Sequence, residues 1–305
     1  MKHALATLVA STFLASCTMP VTHPDFTGLP TGVTPESFTC CADPERMPRW
    51  FADAAKAVSE SLEPMFGADD ASGLLAPHPK AAVRLAGQAQ PLDLFVFSSK
   101  TQFSSRLLPG WFTHSAIYLG TEAQLRAAGW WFDPAIRPYH ADIRAGRTVV
   151  QASSGSVNID SLPHVMGKKD AAALLRPQVS PALKREVLAR ALTLVGRKFD
   201  YEYDGSNCDC IACSELVFRS FPELEFPVRE IHGVASLLPD DIAAKAIRGD
   251  RLRLLDYVRA DDSSWSAAGV TGAMSDVAAF WGPMPDTAQT KVVGSDVLGT
   301  CPTSG

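Results

Sequence analysis

Three short stretches carry side chains able to do covalent chemistry. Thr113-His114-Ser115-Ala116-Ile117-Tyr118-Leu119-Gly120 puts an imidazole at the entry of an apolar, strand-like run. Val149-Val150-Gln151-Ala152-Ser153 is a second such run with a polar residue in its middle. Cys213-Ser214-Glu215-Leu216-Val217-Phe218 opens an amphipathic helix with a cysteine. A thiol at a helix N-terminus faces the positive end of the helix dipole, which lowers its pKa. The free N–H groups there can hold the oxyanion of a tetrahedral intermediate. An imidazole on an adjacent strand can take the thiol proton, and a polar group on the next strand can fix that ring's tautomer. Such a set attacks an amide or ester carbonyl through sulfur. Each residue alone also has a plainer role, cysteine as a buried structural residue and histidine as a satisfied core residue.

The elements that must position these groups can be read from periodicity. Asp93-Leu94-Phe95-Val96-Phe97 is an apolar run of strand length, Phe112 to Leu119 a second strand, and Thr148 to Ala152 a third. The stretch Thr121 to Arg147 reads as an elaborated connection with a short helix near Ala123 to Ala128. Leu183, Val187, Leu188, Ala191 and Val195 recur at helical spacing, and Gly196 sits where a C-terminal cap would. Cys213 to Phe221 is helical in pattern and is stopped by Pro222. Arg251 to Val258 reads as a last strand. Pro48 to Leu62 has the stripe of a surface helix, a short helix fits around Lys80 to Leu85, and Val277 to Trp281 can dock as a helix in an otherwise loose tail.

Taken together these segments resemble the permuted NlpC-type papain-like cysteine hydrolases of the YiiX/YebB-like group. The resemblance covers roughly residues 90–245 and rests on five segments in order: Asp93 to Phe97, Thr113 to Gly120, Gln151-Ala152, Gly196 to Asp200, and Cys213 to Val217. The Cys-Ser-Glu-Leu-Val sequence following Gly-Arg-Lys-Phe-Asp-Tyr is the most specific of them. The resemblance implies an α+β fold, a small antiparallel sheet closed toward a barrel and packed against the nucleophile helix. It further implies Cys213 as nucleophile, His114 as base and Gln151 as the orienting residue, with the base preceding the nucleophile in the chain. Two departures stand out. Gln151 is neutral where relatives often carry an acid or a histidine, although its amide oxygen can accept the imidazole N–H. The aromatic of the fourth segment is Phe199, so a hydroxyl for the oxyanion would come from Tyr201 or Tyr203, whose plainer role is packing. Glu215, in the first helical turn, reads as support for the site, and Asp200 as shaping the turn before the nucleophile. Trp111, Trp130 and Trp131 either line a groove or cover the core.

The cysteines allow a rival. Cys208-x-Cys210-x-x-Cys213 is a dense thiolate cluster that Cys40, Cys41 or a histidine could complete as a metal site. Its spacing does not match paired C-x-x-C ligands, and a Cys208–Cys210 bond, or Cys301 with Cys40 or Cys41, explains the cysteines as well. The chemistry itself needs no metal and no cofactor.

A net charge of -5 gives no basic footprint and argues against a nucleic-acid partner. Ala4 to Leu14 is an apolar stretch of signal-peptide length, ending in Leu14-Ala15-Ser16-Cys17. This looks like a bacterial lipobox, with cleavage before Cys17 and acylation of its thiol; an ordinary secretory signal is the alternative. By resemblance to bacterial lipoproteins, Thr18 after the cysteine favours the outer membrane, facing an oxidising periplasm. The expected organisation is a signal peptide over 1–16, a tether over 17–47 and a helical extension over 48–90. A catalytic domain follows over 91–258, then a partly loose C-terminal extension over 259–305. The substrate expected is a peptide amide of the cell envelope. A lipid acyl group, or a non-catalytic binding role on the same scaffold, is the alternative.

Overall fold

In the computed structural model, residues 34, 37, 38, 40, 41, 72–100, 110–153, 155–282 and 292–293 are described. The chain runs through helix α1 (Pro79–Gln88) into strands β1 (Leu94–Ser98) and β2 (His114–Tyr118). Two short helices, α2 (Glu122–Ala127) and α3 (His140–Arg144), lead to β3 (Arg147–Ala152) and β4 (Val157–Ser161). Then come α4 (Leu162–Gly167), β5 (Ala171–Pro177) and α5 (Pro181–Thr193). The two-residue strands β6 (Lys198–Phe199) and β7 (Cys210–Ile211) deliver the chain to α6 (Cys213–Ser220). A hairpin of β8 (Val228–Ile231) and β9 (Val234–Ser236) precedes α7 (Pro239–Arg248), β10 (Leu252–Ala260), β11 (Trp265–Ala267) and α8 (Gly269–Trp281).

Local chemistry accounts for several of these boundaries. Thr121 and Gln124 form a reciprocal capping box at the start of α2. Ser180 accepts from the Leu183 N–H and Pro181 takes the first helical position, which starts α5 cleanly. Gly196 reverses the chain after α5 at φ +90°, a conformation that strains any residue with a Cβ. Pro222 ends α6 as its missing N–H requires.

Seven strands form one antiparallel sheet in the order β11-β10-β5-β1-β2-β3-β4. It is larger than the small sheet expected, and among the described residues no pairing joins β11 to β4, so it is open and not closed toward a barrel. The extra width comes from β10, which runs on to Ala260, and from β11, which pairs with its end (Ala260↔Trp265). Both faces are covered. Leu94, Val96, Ile117 and Val150 point to the side occupied by α5, α6, α7 and α8. Phe95, Phe97, Ala116, Tyr118 and Val149 point to the side covered by α1 and α4. The period-two alternation along β1 and β2 is thus satisfied on both sides by apolar partners.

Part of the expected tether, and more of the C-terminal segment than the helix expected over Val277 to Trp281, belong to this core. Phe38, Cys40 and Cys41, within the expected tether, are buried against it, and Arg248 Nη1 donates to the Phe38 carbonyl (2.9 Å). An aromatic ring and two cysteines supply the apolar surface that the surrounding Pro, Gly and Thr lack. The C-terminal segment forms α8, whose Ala273, Met274, Val277 and Trp281 are buried. The expected helix over Pro48 to Leu62 and the segment ending in Cys17 lie outside the described residues.

One buried carboxylate binds the distant parts together. Asp240, at the start of α7, accepts hydrogen bonds from the Trp111 N–H (2.7 Å), the Phe112 N–H (2.6 Å) and the Trp281 indole N–H (2.6 Å). Burial pushes its carboxyl up to about 6, opposed by these donors and by Lys100. It therefore fixes the residues just before β2 and the last turn of α8 to the same point. An Asp240→Asn substitution turns an NH2 group toward N–H donors and leaves a buried amide unpaired. It is expected to lower stability by about 1–3 kcal/mol, read as a shift of the urea midpoint; an unchanged midpoint would show that the carboxylate does not hold these segments.

Candidate active site

His114 opens β2, opposite Phe97 in β1, with its ring stacked on the Phe97 ring at 5.8 Å. Ala116, two residues on, pairs with Gln151 of β3. Gln151 Oε1 lies 2.8 Å from His114 Nε2. With that oxygen facing it, Nε2 carries the ring proton and donates it, which leaves Nδ1 as the free acceptor.

Cys213 is the first residue of α6, and the helix is seated on β2 and β3. Ser115 follows His114 and turns to the opposite face of β2, where its hydroxyl donates to the Cys213 carbonyl (2.9 Å). Ser214 Oγ donates to the Leu237 carbonyl (2.8 Å), which holds the same helical turn from the other side. Cys213 is thereby fixed to the neighbour of the imidazole. Among the described residues no hydrogen bond joins the Cys213 sulfur to the His114 ring itself. In an unliganded site such contacts are often long and tighten only when substrate is bound.

The electrostatics differ from what a helix N-terminus alone suggests. Burial pushes the Cys213 thiol above its ordinary value, although the Ser115 and Ser214 N–H groups, the Ser115 hydroxyl and Lys169 all pull it down. Burial, helped by Lys169, also pushes His114 down to about 3, against the hydrogen bond that its ring donates to Gln151. Desolvation outweighs the dipole, and the resting pair is a thiol and a neutral imidazole. Ser115 and Lys169 were not visible as site residues in the sequence. Ser115 could have been noticed, since it neighbours His114, but nothing marks Lys169.

The remaining candidates fall into distinct positions. Tyr203 is in the left-handed region at φ +54°, packs edge-on against Phe199, and has its hydroxyl pushed up by burial and by Cys213, Asp200 and Tyr201. It therefore stays protonated, within electrostatic reach of Cys213. The Tyr201 hydroxyl accepts from the Gly155 N–H (3.2 Å) and ties down the loop after β3. Asp200 accepts from the Glu202 N–H (2.9 Å) and donates its own N–H to Ile211 (3.2 Å), shaping the turn before the nucleophile. Glu215 is buried in the first turn of α6 with the Arg219 guanidinium 3.7 Å away. Burial and Asp200 push its carboxyl up to about 8.

The cysteine cluster does not assemble. Cys40 is bonded to Cys41, which excludes either as the partner of Cys301. Cys208 is disulfide-bonded but Cys210 is a free thiol, so they are not bonded to each other. Among the described residues the one metal-type grouping is Cys40, Cys41 and Asp241, and Arg229 already holds that carboxylate through two bonds of 2.7 Å. The tryptophans cover the core: Trp131 is buried and stacked on His140 at 3.7 Å, and Trp111 donates to the Tyr257 hydroxyl (3.1 Å). Trp130 lines a cleft with Gln124, Lys184 and Arg185, at the opposite end of the strands from His114.

A helix headed by cysteine, seated on an antiparallel sheet whose histidine strand comes earlier in the chain, defines the permuted papain-like cysteine hydrolases. The chain matches the family model described as permuted papain-like amidase enzyme, YaeF/YiiX, C92 family, over residues 90–273, and it belongs to that family. No curated protein matches. No solved structure matches.

Two measurements follow from the buried, uncharged site. Alkylation of Cys213 by iodoacetamide, followed on its own peptide, is expected to accelerate about tenfold per pH unit through neutrality. A rate flat from pH 5 to 8 would instead report a preformed ion pair. Cys210, pushed up to about 12 by burial and by Asp200, stays slow over that range. Glu215 affects stability in a defined direction. Its folded-state pKa of about 8 lies above the ordinary 4.5, so the fold retains a proton that the unfolded chain releases. Stability is fully present below about 4.5 and is lost as pH rises through about 8, by up to about 1.4 kcal/mol per pH unit. Glu215→Gln is expected to flatten this loss between pH 5 and 9 in urea titrations; an unaltered slope would assign it elsewhere.

Proposed function

We propose that the protein hydrolyses an amide bond in peptide material of the bacterial cell envelope, through a thioacyl-enzyme on Cys213. The observation that carries the reading is the His114 ring, held by Gln151 through Nε2 at 2.8 Å, beside the strand residue that binds the head of the cysteine helix. In the first step His114 Nδ1 takes the thiol proton as sulfur attacks the carbonyl carbon. The imidazolium then gives that proton to the leaving amine. In the second step Nδ1 removes a proton from water, the hydroxide attacks the thioester, and the proton returns to sulfur. The backbone N–H groups at the start of α6, with Tyr203 as a further donor, hold the oxyanion. A concerted transfer of this kind suits a neutral thiol and a neutral imidazole, because charge forms only where the site is built to receive it.

The envelope is inferred from the leader. An apolar stretch ending in Leu14-Ala15-Ser16-Cys17 supports acylation of Cys17 and attachment to the outer membrane on its periplasmic side. The same feature favours a second reading, in which the acyl group attacked belongs to a lipid. Incubation with purified muropeptides and with phospholipid vesicles, read by mass spectrometry, separates the two. Release of an amine from a muropeptide is expected, and release of fatty acid alone would transfer the activity to lipid. Cys213→Ala is expected to lower the rate at least ~10³-fold, with His114→Ala close behind. A Cys213→Ala protein at the original rate would remove sulfur from the reaction and leave a binding role.

A further inference from the structure

We propose that Asp160 is a positioning residue that decides which nitrogen of His114 serves as base. The inference rests on the assignment of Cys213, His114 and Gln151 given above. Gln151 Nε2 donates to Asp160 Oδ2 at 3.2 Å, while Gln151 Oε1 faces His114 Nε2 at 2.8 Å. The register produces this chain. Ala116 pairs with Gln151, Gln151 with Asn158, and Val149 with Asp160. His114, Gln151 and Asp160 therefore run diagonally over β2, β3 and β4, each offset by two positions from the pairing partner of the next. Long side chains can meet across such a diagonal.

The chemistry of the three groups gives the diagonal a direction. A carboxylate has acceptors only, so the amide must turn its NH2 toward Asp160. Its oxygen then faces His114, and the imidazole can meet that oxygen only as the Nε2–H tautomer. Nδ1 is left with its lone pair free for the thiol proton. A glutamine alone carries no such preference, because a half-turn of its amide exchanges donor for acceptor. Turned round, the NH2 would donate to Nε2, the ring proton would sit on Nδ1, and the base would be lost. Asp160 is itself fixed: its Oδ1 accepts from the Ser161 N–H (2.6 Å), and His164 Nε2 lies 3.7 Å from its Oδ2. The charged group that bears on His114 from another segment is Lys169. Asp160 thus supplies, one residue removed, the negative charge that a neutral third residue lacks, and the imidazolium formed during turnover is stabilised through the polarised amide.

The test uses full-length protein with 15N-labelled histidine. In the unmodified protein His114 is expected to show the Nε2–H tautomer alone. Asp160→Asn is isosteric but can donate as well as accept, so both tautomers are expected at comparable populations. Alongside, kcat should fall about 3- to 10-fold with KM within about twofold, and the acid limb of the pH profile should move. Gln151→Glu alone sets two carboxylates against each other and should be poorly active. Combined with Asp160→Asn, the same change puts a carboxylate directly on Nε2–H with an amide donor behind it. It should restore the single tautomer and most of kcat. A pure Nε2–H tautomer in Asp160→Asn, or a double variant no better than the single ones, would overturn the proposal. Unimpaired turnover by Cys213→Ala would instead undo the assignment of the site, and the tautomer spectra would still decide the role of Asp160.

Discussion

The bond from the Ser115 hydroxyl to the Cys213 carbonyl joins two elements that are 98 residues apart in sequence, and the site depends on their fit. Taken singly, such a buried hydrogen bond contributes about 1 kcal/mol. Its larger effect is geometric. Consecutive strand residues point to opposite faces, so β2 gives His114 to one side and Ser115 to the other. The sheet end thus holds the imidazole among Phe97 and Gln151 while the helix head is bound to the very next residue. A slip of one residue in the pairing of β2 would exchange the two faces and turn Ser115 away from the helix head that it binds. The apolar cover on both sides of the sheet makes such a slip costly, because every core residue of the strand would change sides with it.

Burial sets the character of the chemistry. Sulfur and imidazole are both held uncharged, and their common neighbour Lys169 acts on the two in the same electrostatic sense. A positive charge beside the ring opposes imidazolium and favours thiolate, so it steadies the sulfur at the cost of the base. Gln151 balances it by accepting from the ring. The acids behind the nucleophile follow the same rule. Asp200 and Glu215 are both shifted toward their neutral forms, in each case chiefly by burial.

Much of this was legible in the sequence. The strands carrying His114 and Gln151 are apolar runs bounded by turn residues, and the helix of Cys213 has a clear stripe and a proline stop; such patterns survive because they reflect burial on a fixed period. Asp160 was not legible, since a diagonal contact depends on the register between β3 and β4, which shifts between Arg147 and Val149. The direction of the thiol pKa was misread for a related reason. Helix polarity is local, whereas desolvation is set by everything that packs around the residue. The docked helix expected over Val277 to Trp281 is present, but its first half was hidden by its composition. Gly269, Gly272 and Ala273 read as loose chain, yet they form the first turns of α8, where a side chain at Gly272 would run into Ala268. Phe38, Cys40 and Cys41 were overlooked because three apolar residues among Pro, Gly and Thr make no period at all.

The indole of Trp281 has a consequence for how far this domain extends. The match to the family ends at residue 273, inside α8, whereas the hydrogen bond to Asp240 comes from eight residues further on. Asp240 in turn holds the amides of Trp111 and Phe112, just ahead of the strand that begins with His114. A chain trimmed to the matched residues would keep Cys213, His114, Gln151 and Asp160. It would also lose a donor to the carboxylate that fixes the entry of β2, and expose the apolar side of a half helix. The boundary of cooperative folding thus lies outside the boundary of recognisable ancestry.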